Sequence, residues 1–406
     1  LEIWPQDWKR REGRQRMRTD VVIIGGGVIG SAIAYYLTKR GKKVILLEKK
    51  YLVNGSSGAC DQGILLQSKA PNEHLVLGIY SLEMFKKLEQ ELGRKLEFVQ
   101  KGYLVLIESE PELKVMQEIV QKQNELGLPS KIITKEEALA MQPGLNPDAF
   151  VAAACCDWDG EVNPYMLTMA FADKAEELGA VIKTGCPVTG LVMEDGAVKG
   201  VETQEGTIYA DTVVNAAGVW APEIGAMAGL KIPITPRRGQ AFITEAVPEF
   251  IHRSVINARY IVAKHHPEVL KKDTSMKAKL GVGLCLTQSE KGNVMFGATR
   301  EFVGYDVSNT VDGLSTILSN AVHLVPGLKN LNIIRTMGGL RPYTPDGRPL
   351  IGYVDGVPGF FMAAGHEGDG ISLAPATGKL VSDLIVDGKT EVPAAEGFDT
   401  NRFALK

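Results

Sequence analysis

The sequence predicts an α/β protein: a Rossmann-like dinucleotide-binding domain assembled from discontinuous segments, plus a mainly antiparallel β domain with helices. Three observations carry this. A complete βαβ unit with a glycine fingerprint begins at Asp20. Two later strand ends, near Asn215 and Gly365, again carry small-residue or glycine turns. Between these, the chain twice runs into segments that read as a separate lobe. The chain has 406 residues, enough for two or three structural units. Its 45% hydrophobic content can bury a large core.

In the βαβ unit, Val21 to Ile24 read as a buried strand, followed by glycines 25, 27 and 30 and a helical run from Ser31. Gly41 stops that helix, and a second strand, Val44 to Leu47, ends on Glu48. Gly25 serves the tight turn, Gly27 lets the backbone approach a pyrophosphate, and Gly30 lets helix and strand pack closely. The helix N-terminus, with Val28 and Ile29 in the glycine turn before it, offers free N–H groups and a positive dipole end. Glu48 stands 18 residues after Gly30, where a carboxylate accepts hydrogen bonds from an adenosine ribose. Lys49 follows it.

A loop of small residues comes next: Gly55-Ser56-Ser57-Gly-Ala-Cys60-Asp61-Gln62-Gly63. Its small side chains and amides suit a flat ring or a phosphate, or an ordinary flexible connection. Amphipathic spacing predicts a helix from Asn72 to Lys95. Phe98 to Ile107 read as strands around Gly102, Pro111–Leu126 and Lys135–Met141 as helices, and Val151–Cys156 as a short strand. Cys155 and Cys156 are read as small buried strand residues rather than a redox pair. Asn163-Pro164 starts a helix to Leu178. Strands follow at Ala180–Thr184, Val188–Val192, Val198–Thr203 and Thr207–Ala210. A further strand from Asp211 ends in Asn215-Ala-Ala217-Gly218-Val-Trp220.

Pro233 to about Asn320 read as mainly β, with Gly281–Thr287 and Val294–Thr299 as strands. His265 to Lys279 read as a solvated loop, with His265 and His266 at the surface rather than on a metal. The last third is dense in glycine: Met337-Gly-Gly339-Leu-Arg341-Pro, then Gly365-His366-Glu367-Gly368-Asp369-Gly370-Ile371 at the head of a helix to Asp387. Three strand ends of this kind suit one extended cofactor, FAD, with pyrophosphate, ribityl chain and ring to hold. The first turn takes the pyrophosphate, while the Gly55–Gly63 loop and the Gly365 turn flank the ring. A helix N-terminus near the ring stabilises negative charge on it. The expected division is 17–97, 150–225 and 333–406 for the FAD-binding domain and 98–149 and 226–332 for the substrate domain.

The net charge of −3 gives no electrostatic case for nucleic acid. Five cysteines without C-x-x-C argue against a disulfide framework or zinc ribbon, and no metal site is expected. No apolar run reaches the roughly 18 residues of a membrane span. Residues 1–16 are basic and read as a tag, an upstream extension or an anchoring arm. They lack the apolar core of a signal peptide, which points to a cytoplasmic protein.

Together, Gly25 to Glu48, Asn215 to Trp220, Gly339-Leu-Arg341-Pro and Ala363-Ala-Gly-His366 resemble the D-amino-acid-oxidase superfamily, in its glycine and sarcosine oxidase branch. Cys60 to Gly63 and Gly365 to Gly378 look most like the β subunits of heteromeric dehydrogenases: proline and D-hydroxyproline dehydrogenase, opine oxidase and hydrogen cyanide synthase. The resemblance covers nearly everything from Met17 to Lys389. It implies non-covalent FAD, also contacted by Val188, and a small amino-acid or amine substrate oxidised by hydride transfer to flavin N5. Arg341 matches the family arginine that pairs with the substrate carboxylate, as suits a guanidinium. Glu367 and Gly368 replace a bulky aromatic and an arginine of glycine oxidase, which points to a larger or more polar substrate. Glu367 either bonds the substrate amine or a hydroxyl, or is structural. Arg300 either lines the pocket or does not. His366 reads as a turn residue contacting flavin. The resemblance implies partner subunits with further redox cofactors and leaves open a peripheral membrane association through such a complex. A self-sufficient oxidase making peroxide and a non-catalytic electron-relay flavoprotein are the alternatives.

Overall fold

The structure, a computed structural model, describes residues 17–266, 268 and 273–406. The expectation for residues 1–16 lies outside the described residues. The strand Met17–Ile24 is central to the first sheet, pairing in parallel with Gly206–Asn215 on one side and Val44–Leu47 on the other. Val181–Lys183 extends the sheet beyond Val44–Leu47. Phe360–Ala364 and Leu350–Tyr353 extend it beyond Gly206–Asn215. An antiparallel meander, Val188–Glu194 and Ala197–Thr203, hangs from Gly206–Asn215.

Period-two alternation with a core on each face explains why Val21 to Ile24 are all apolar. Val21 and Ile23 face one core, and Val22 and Ile24 the other. On the first face pack the helices Val28–Lys39, Glu73–Leu92, Pro164–Glu177 and Gly370–Asp387. The opposite face is covered by the meander, through Val198 and Val201, and by the short helix Ala221–Ala226. The strand Val44–Leu47 and the inner part of Met17–Ile24 are therefore sealed on both sides, whereas the edge strand Val181–Lys183 is partly exposed.

The second sheet has eight strands, ordered Ile333–Tyr343, Thr235–Ala246, Asn293–Gly297, Cys285–Gln288, Ser254–Asn257, Tyr103–Ile107, Ala152–Cys156 and Lys131–Ile133. All neighbours are antiparallel except Ser254–Asn257 with Tyr103–Ile107. The helix Val311–Leu324 covers one face through Ile317, Ala321 and Leu324. Met116 and Ile119 of the helix Glu110–Glu125 cover the other.

Several expectations change. Ala152–Cys156 and Ile333–Tyr343 pair in the second sheet, although the sequence reading grouped them with the first. A short apolar run carries no information about which sheet it joins. Thr207–Ala210 and the strand after it are one continuous strand, Gly206–Asn215. The stretch from Pro233 to Asn320 is not mainly β after Ser254–Asn257: it contains the helices Ala258–His265 and Val311–Leu324. The supposed loop 265–279 holds the end of the first of these and a turn of helix at Met276–Lys279. His265 and His266 are half-buried; His265 Nε2 lies 3.0 Å from the Ser68 carbonyl. Cys155 and Cys156 are buried, as small strand residues should be.

Candidate active site

One cavity runs along the carboxyl ends of the first sheet's strands and under the second sheet. It reaches from Glu48, Lys49 and Trp220 at one end to Arg341, Glu367 and Gly368 at the other. Such a length suits a dinucleotide.

At the pyrophosphate position, Gly25 has φ +117°, and a Cβ there would lie 2.5 Å from the Ala216 carbonyl oxygen. A Cβ on Gly30 would lie 1.9 Å from the Gly25 oxygen. Only glycine permits both the turn and the close helix. Gly27, Val28 and Ile29 line the cavity, whereas Gly30 packs behind it. Ser57 Oγ accepts from the Val28 N–H at 3.0 Å, which ties the small-residue loop to the helix N-terminus. The same loop is fixed to the second sheet by Ser56 Oγ, which donates to the Leu340 carbonyl at 2.5 Å.

Glu48 lies at the far end, with Lys49, Val188, Ala217, Gly218 and Trp220. Its carboxylate accepts from the Gly26 N–H at 2.8 Å and the Lys50 N–H at 2.9 Å. These bonds orient it at the strand end. Lys49 Nζ sits 3.6 Å from the centroid of the Trp220 ring, which stacks on Tyr305.

The opposite end gathers Cys60, Asp61, Tyr260, Gly339, Arg341, Gly365, His366, Glu367, Gly368, Gly370 and Ile371. The Gly370–Asp387 helix points its N-terminus here. Arg341 lies over the bare backbone of Gly239, where a Cβ would come within 2.4 Å of its Nη1. Its Nη1 donates to the Thr299 carbonyl at 3.1 Å. Among the described residues no carboxylate forms an ion pair with it. Burial works against its charge, but Tyr260, Glu367 and Asp61 outweigh that and hold its pKa above the ordinary value.

Glu367 is committed elsewhere. It pairs with Arg237 and accepts from the Gly368 N–H at 2.7 Å, with Lys264 Nζ 3.9 Å away. Burial raises its pKa, yet Arg237, Lys264, Arg341 and Arg300 bring it down to about 2. Asp369 turns out of the cavity into a second ionic knot with Lys69 at 2.8 Å and Lys264 at 2.9 Å. His366 lines the cavity, but its Nε2 lies 3.1 Å from Thr377 Oγ1, and burial pushes its pKa to about 3. The imidazole is therefore neutral at ordinary pH.

Three more expected positions also lie off the cavity wall. Arg300 stands behind Tyr260, stacked on that ring at 3.4 Å and donating to the Tyr260 carbonyl at 3.0 Å. It lines a separate small cavity with Arg259 and Lys277. Gln62 and Gly63 carry the chain away from the site: Gly63 pairs with Glu161 in a two-stranded ribbon. Sequence reasoning missed Tyr260, Arg237, Lys264 and Lys69. Arg237 sits in the run Pro236-Arg-Arg-Gly239, whose residue types alone assign it no role. Tyr260 lies on a short helix with no motif.

Residues 20–384 match the DAO family, described as FAD dependent oxidoreductase. The chain belongs to that family. Glycine oxidase of Geobacillus kaustophilus is 32% identical over 96% of this chain and 97% of its own. Mouse dimethylglycine dehydrogenase is 30% identical over 98% of this chain, which spans 45% of that protein's length. Among solved structures, L-proline dehydrogenase from P. horikoshii superposes with a TM-score of 0.85 at 35% identity, covering 96% of this chain and 98% of that one. The chain is thus a member of an FAD-dependent oxidoreductase family, and the glycine turn, Glu48 and the two helix N-termini fit that cofactor. Among the described residues no helix is long and apolar enough to cross a membrane, and no group of side chains is suited to a metal.

Proposed function

We propose that this chain oxidises an α-amino acid at its CH–NH bond, giving an imine, as the substrate-oxidising subunit of a heteromeric dehydrogenase. One observation carries the reading: Arg341 is a half-buried cation on the cavity wall without an ion-pair partner among the described residues. A carboxylate is the natural complement of that fork. Gly25, Gly27, Val28, Ser57 and Glu48 would hold the cofactor at its pyrophosphate and ribose. The Gly365–Ile371 turn and Cys60 would hold it at the ring. Bound FAD supplies a two-electron acceptor.

The rest is positioning. Arg341 fixes the substrate by its carboxylate, so that the adjacent Cα–H has one orientation in the cavity. Met295, Met337, Leu340 and Ile371 give the ring end an apolar lining that excludes water. His366, neutral and tied to Thr377, takes no proton, and Glu367, held by Arg237, acts through the shape of the turn. Support for a dehydrogenase within a complex comes from the L-proline dehydrogenase structure and from hydrogen cyanide synthase subunit HcnC of Pseudomonas aeruginosa, 27% identical over 90% of this chain. The glycine oxidase likeness favours a second reading, a self-sufficient oxidase. Peroxide release by the purified chain on amino-acid turnover selects the oxidase. Turnover with an artificial dye but without peroxide selects the dehydrogenase.

A further inference from the structure

Four carboxylates line the cavity: Glu48, Asp61, Glu223 and Glu367. Glu48 is held by two backbone N–H groups, and Glu367 by Arg237 and the Gly368 N–H. Glu223 lies at the ribose end near Lys49, beside a Tyr305 hydroxyl that donates to the Val219 carbonyl. Asp61 differs. Among the described residues it has no ion-pair partner, and its side chain meets only the Gly63 N–H, at a long 3.5 Å, and the Cys285 thiol. The backbone presents it deliberately. Thr287 Oγ1 donates to the Asp61 carbonyl at 3.2 Å, fixing the loop to the second sheet. The next residue, Gln62, takes φ +69°, a left-handed conformation that disfavours a non-glycine residue. Its carbonyl is held by the Val162 N–H at 3.0 Å. Close by, the buried Tyr103 hydroxyl has no hydrogen-bond partner and stands 3.0 Å from where a Cβ on Gly63 would be. Strain and an unpartnered buried hydroxyl mark this corner as built for something beyond packing.

We propose that Asp61 is the amine-recognition residue of the site. A substrate carboxylate on Arg341 then places the α-nitrogen against Asp61, and the pair matches a zwitterion in sign and order. This rests on the amino-acid reading above. The chemistry strengthens the contact as reaction proceeds. When the Cα–H bond of a neutral amine breaks, its electron pair leaves as hydride to FAD, and the nitrogen lone pair forms the C=N bond. Nitrogen passes from neutral to cationic beside a fixed carboxylate, so Asp61 binds the transition state better than the neutral substrate.

The test uses binding without turnover. Glycine betaine and 3,3-dimethylbutanoate have the same shape, with a cationic nitrogen in one replaced by carbon in the other. Calorimetry on the FAD-loaded protein should give betaine the tighter binding by about 10–100-fold, from a charge contact alone because its quaternary nitrogen has no N–H to donate. Asp61→Asn should bring the two affinities together while leaving flavin occupancy and thermal midpoint unchanged, and Asp61→Glu should restore part of the difference. If Asp61→Asn retains the wild-type ratio, or if the wild type does not discriminate, the assignment to Asp61 is wrong. In that case the amino-acid reading still stands, provided Arg341→Lys weakens both ligands. If neither ligand binds the wild type, both fail.

Discussion

Replacing Glu367 by glutamine separates a substrate contact from a structural one. The side chain is buried beside Arg237, Lys264, Arg341 and Arg300, and its pKa lies near 2 instead of the ordinary 4.5. At about 1.4 kcal/mol per tenfold change, that depression corresponds to about 3 kcal/mol of stability carried by the ionised form. The sign follows from the direction of the shift. A carboxylate whose pKa is lower in the folded state stabilises fully above its unfolded value, and that contribution is lost as pH falls through about 4.5 toward 2. Glu367→Gln keeps the shape and can still accept from the Gly368 N–H, but leaves Arg237 buried beside a neutral amide. Urea unfolding of the FAD-loaded proteins at pH 7 should therefore show the variant about 3 kcal/mol less stable. The gap should narrow below about pH 4.5. Amino-acid affinity, measured on whatever folded protein remains, should change by less than about threefold, since that carboxylate has no capacity left for substrate. Equal stability at pH 7 together with a tenfold loss of amino-acid binding would refute this reasoning and make Glu367 a substrate contact.

Other consequences follow from the same geometry. Gly30→Ala drives a methyl into the Gly25 carbonyl, so the variant should purify without flavin, as its visible spectrum would show. Arg341→Ala should weaken a simple carboxylate ligand by about 10²–10³-fold, the loss of two charge-assisted hydrogen bonds, with flavin retained; unchanged affinity in a titration would remove Arg341 from the site. His74 and His366 are held neutral by burial, both to about 3, and His265 to about 4. Unfolded histidine binds a proton near pH 6.5, so this stability is present above 6.5 and erodes as pH falls toward 4. Thermal midpoints should already decline between pH 6.5 and 5, before Glu367 contributes.

The legible parts of this protein are those where local sequence determines local geometry. Gly25, Gly27 and Gly30 followed by Glu48 define a turn, a helix start and a strand end within one short stretch, and the structure places Gly25, Gly27 and Glu48 along one cavity. Gly365 to Ile371 is legible for the same reason. What escaped depends on pairings distant in sequence. Arg341 lies beside Arg237 because Thr235–Ala246 and Ile333–Tyr343 pair in antiparallel register. No spacing rule announces that register. Lys69 meets Asp369 across 300 positions, and Tyr260 reaches the site from a helix whose eight residues carry no distinctive period. Arg300 follows Thr299, whose carbonyl does touch Arg341, but one step along the chain its guanidinium stacks on the Tyr260 ring and donates to the Tyr260 carbonyl.

The central claim is that an amino acid, gripped by its carboxylate at Arg341, gives up electrons in this cavity. Anaerobic titration of the FAD-loaded chain tests it most directly, with absorbance of the oxidised flavin followed across a panel of D-, L- and N-alkyl amino acids and opines, each paired with its carboxamide. At least one amino acid should bleach the flavin, while its carboxamide should not. Bleaching by the carboxamide at the same concentration and rate, or by no amino acid at all, would contradict the account.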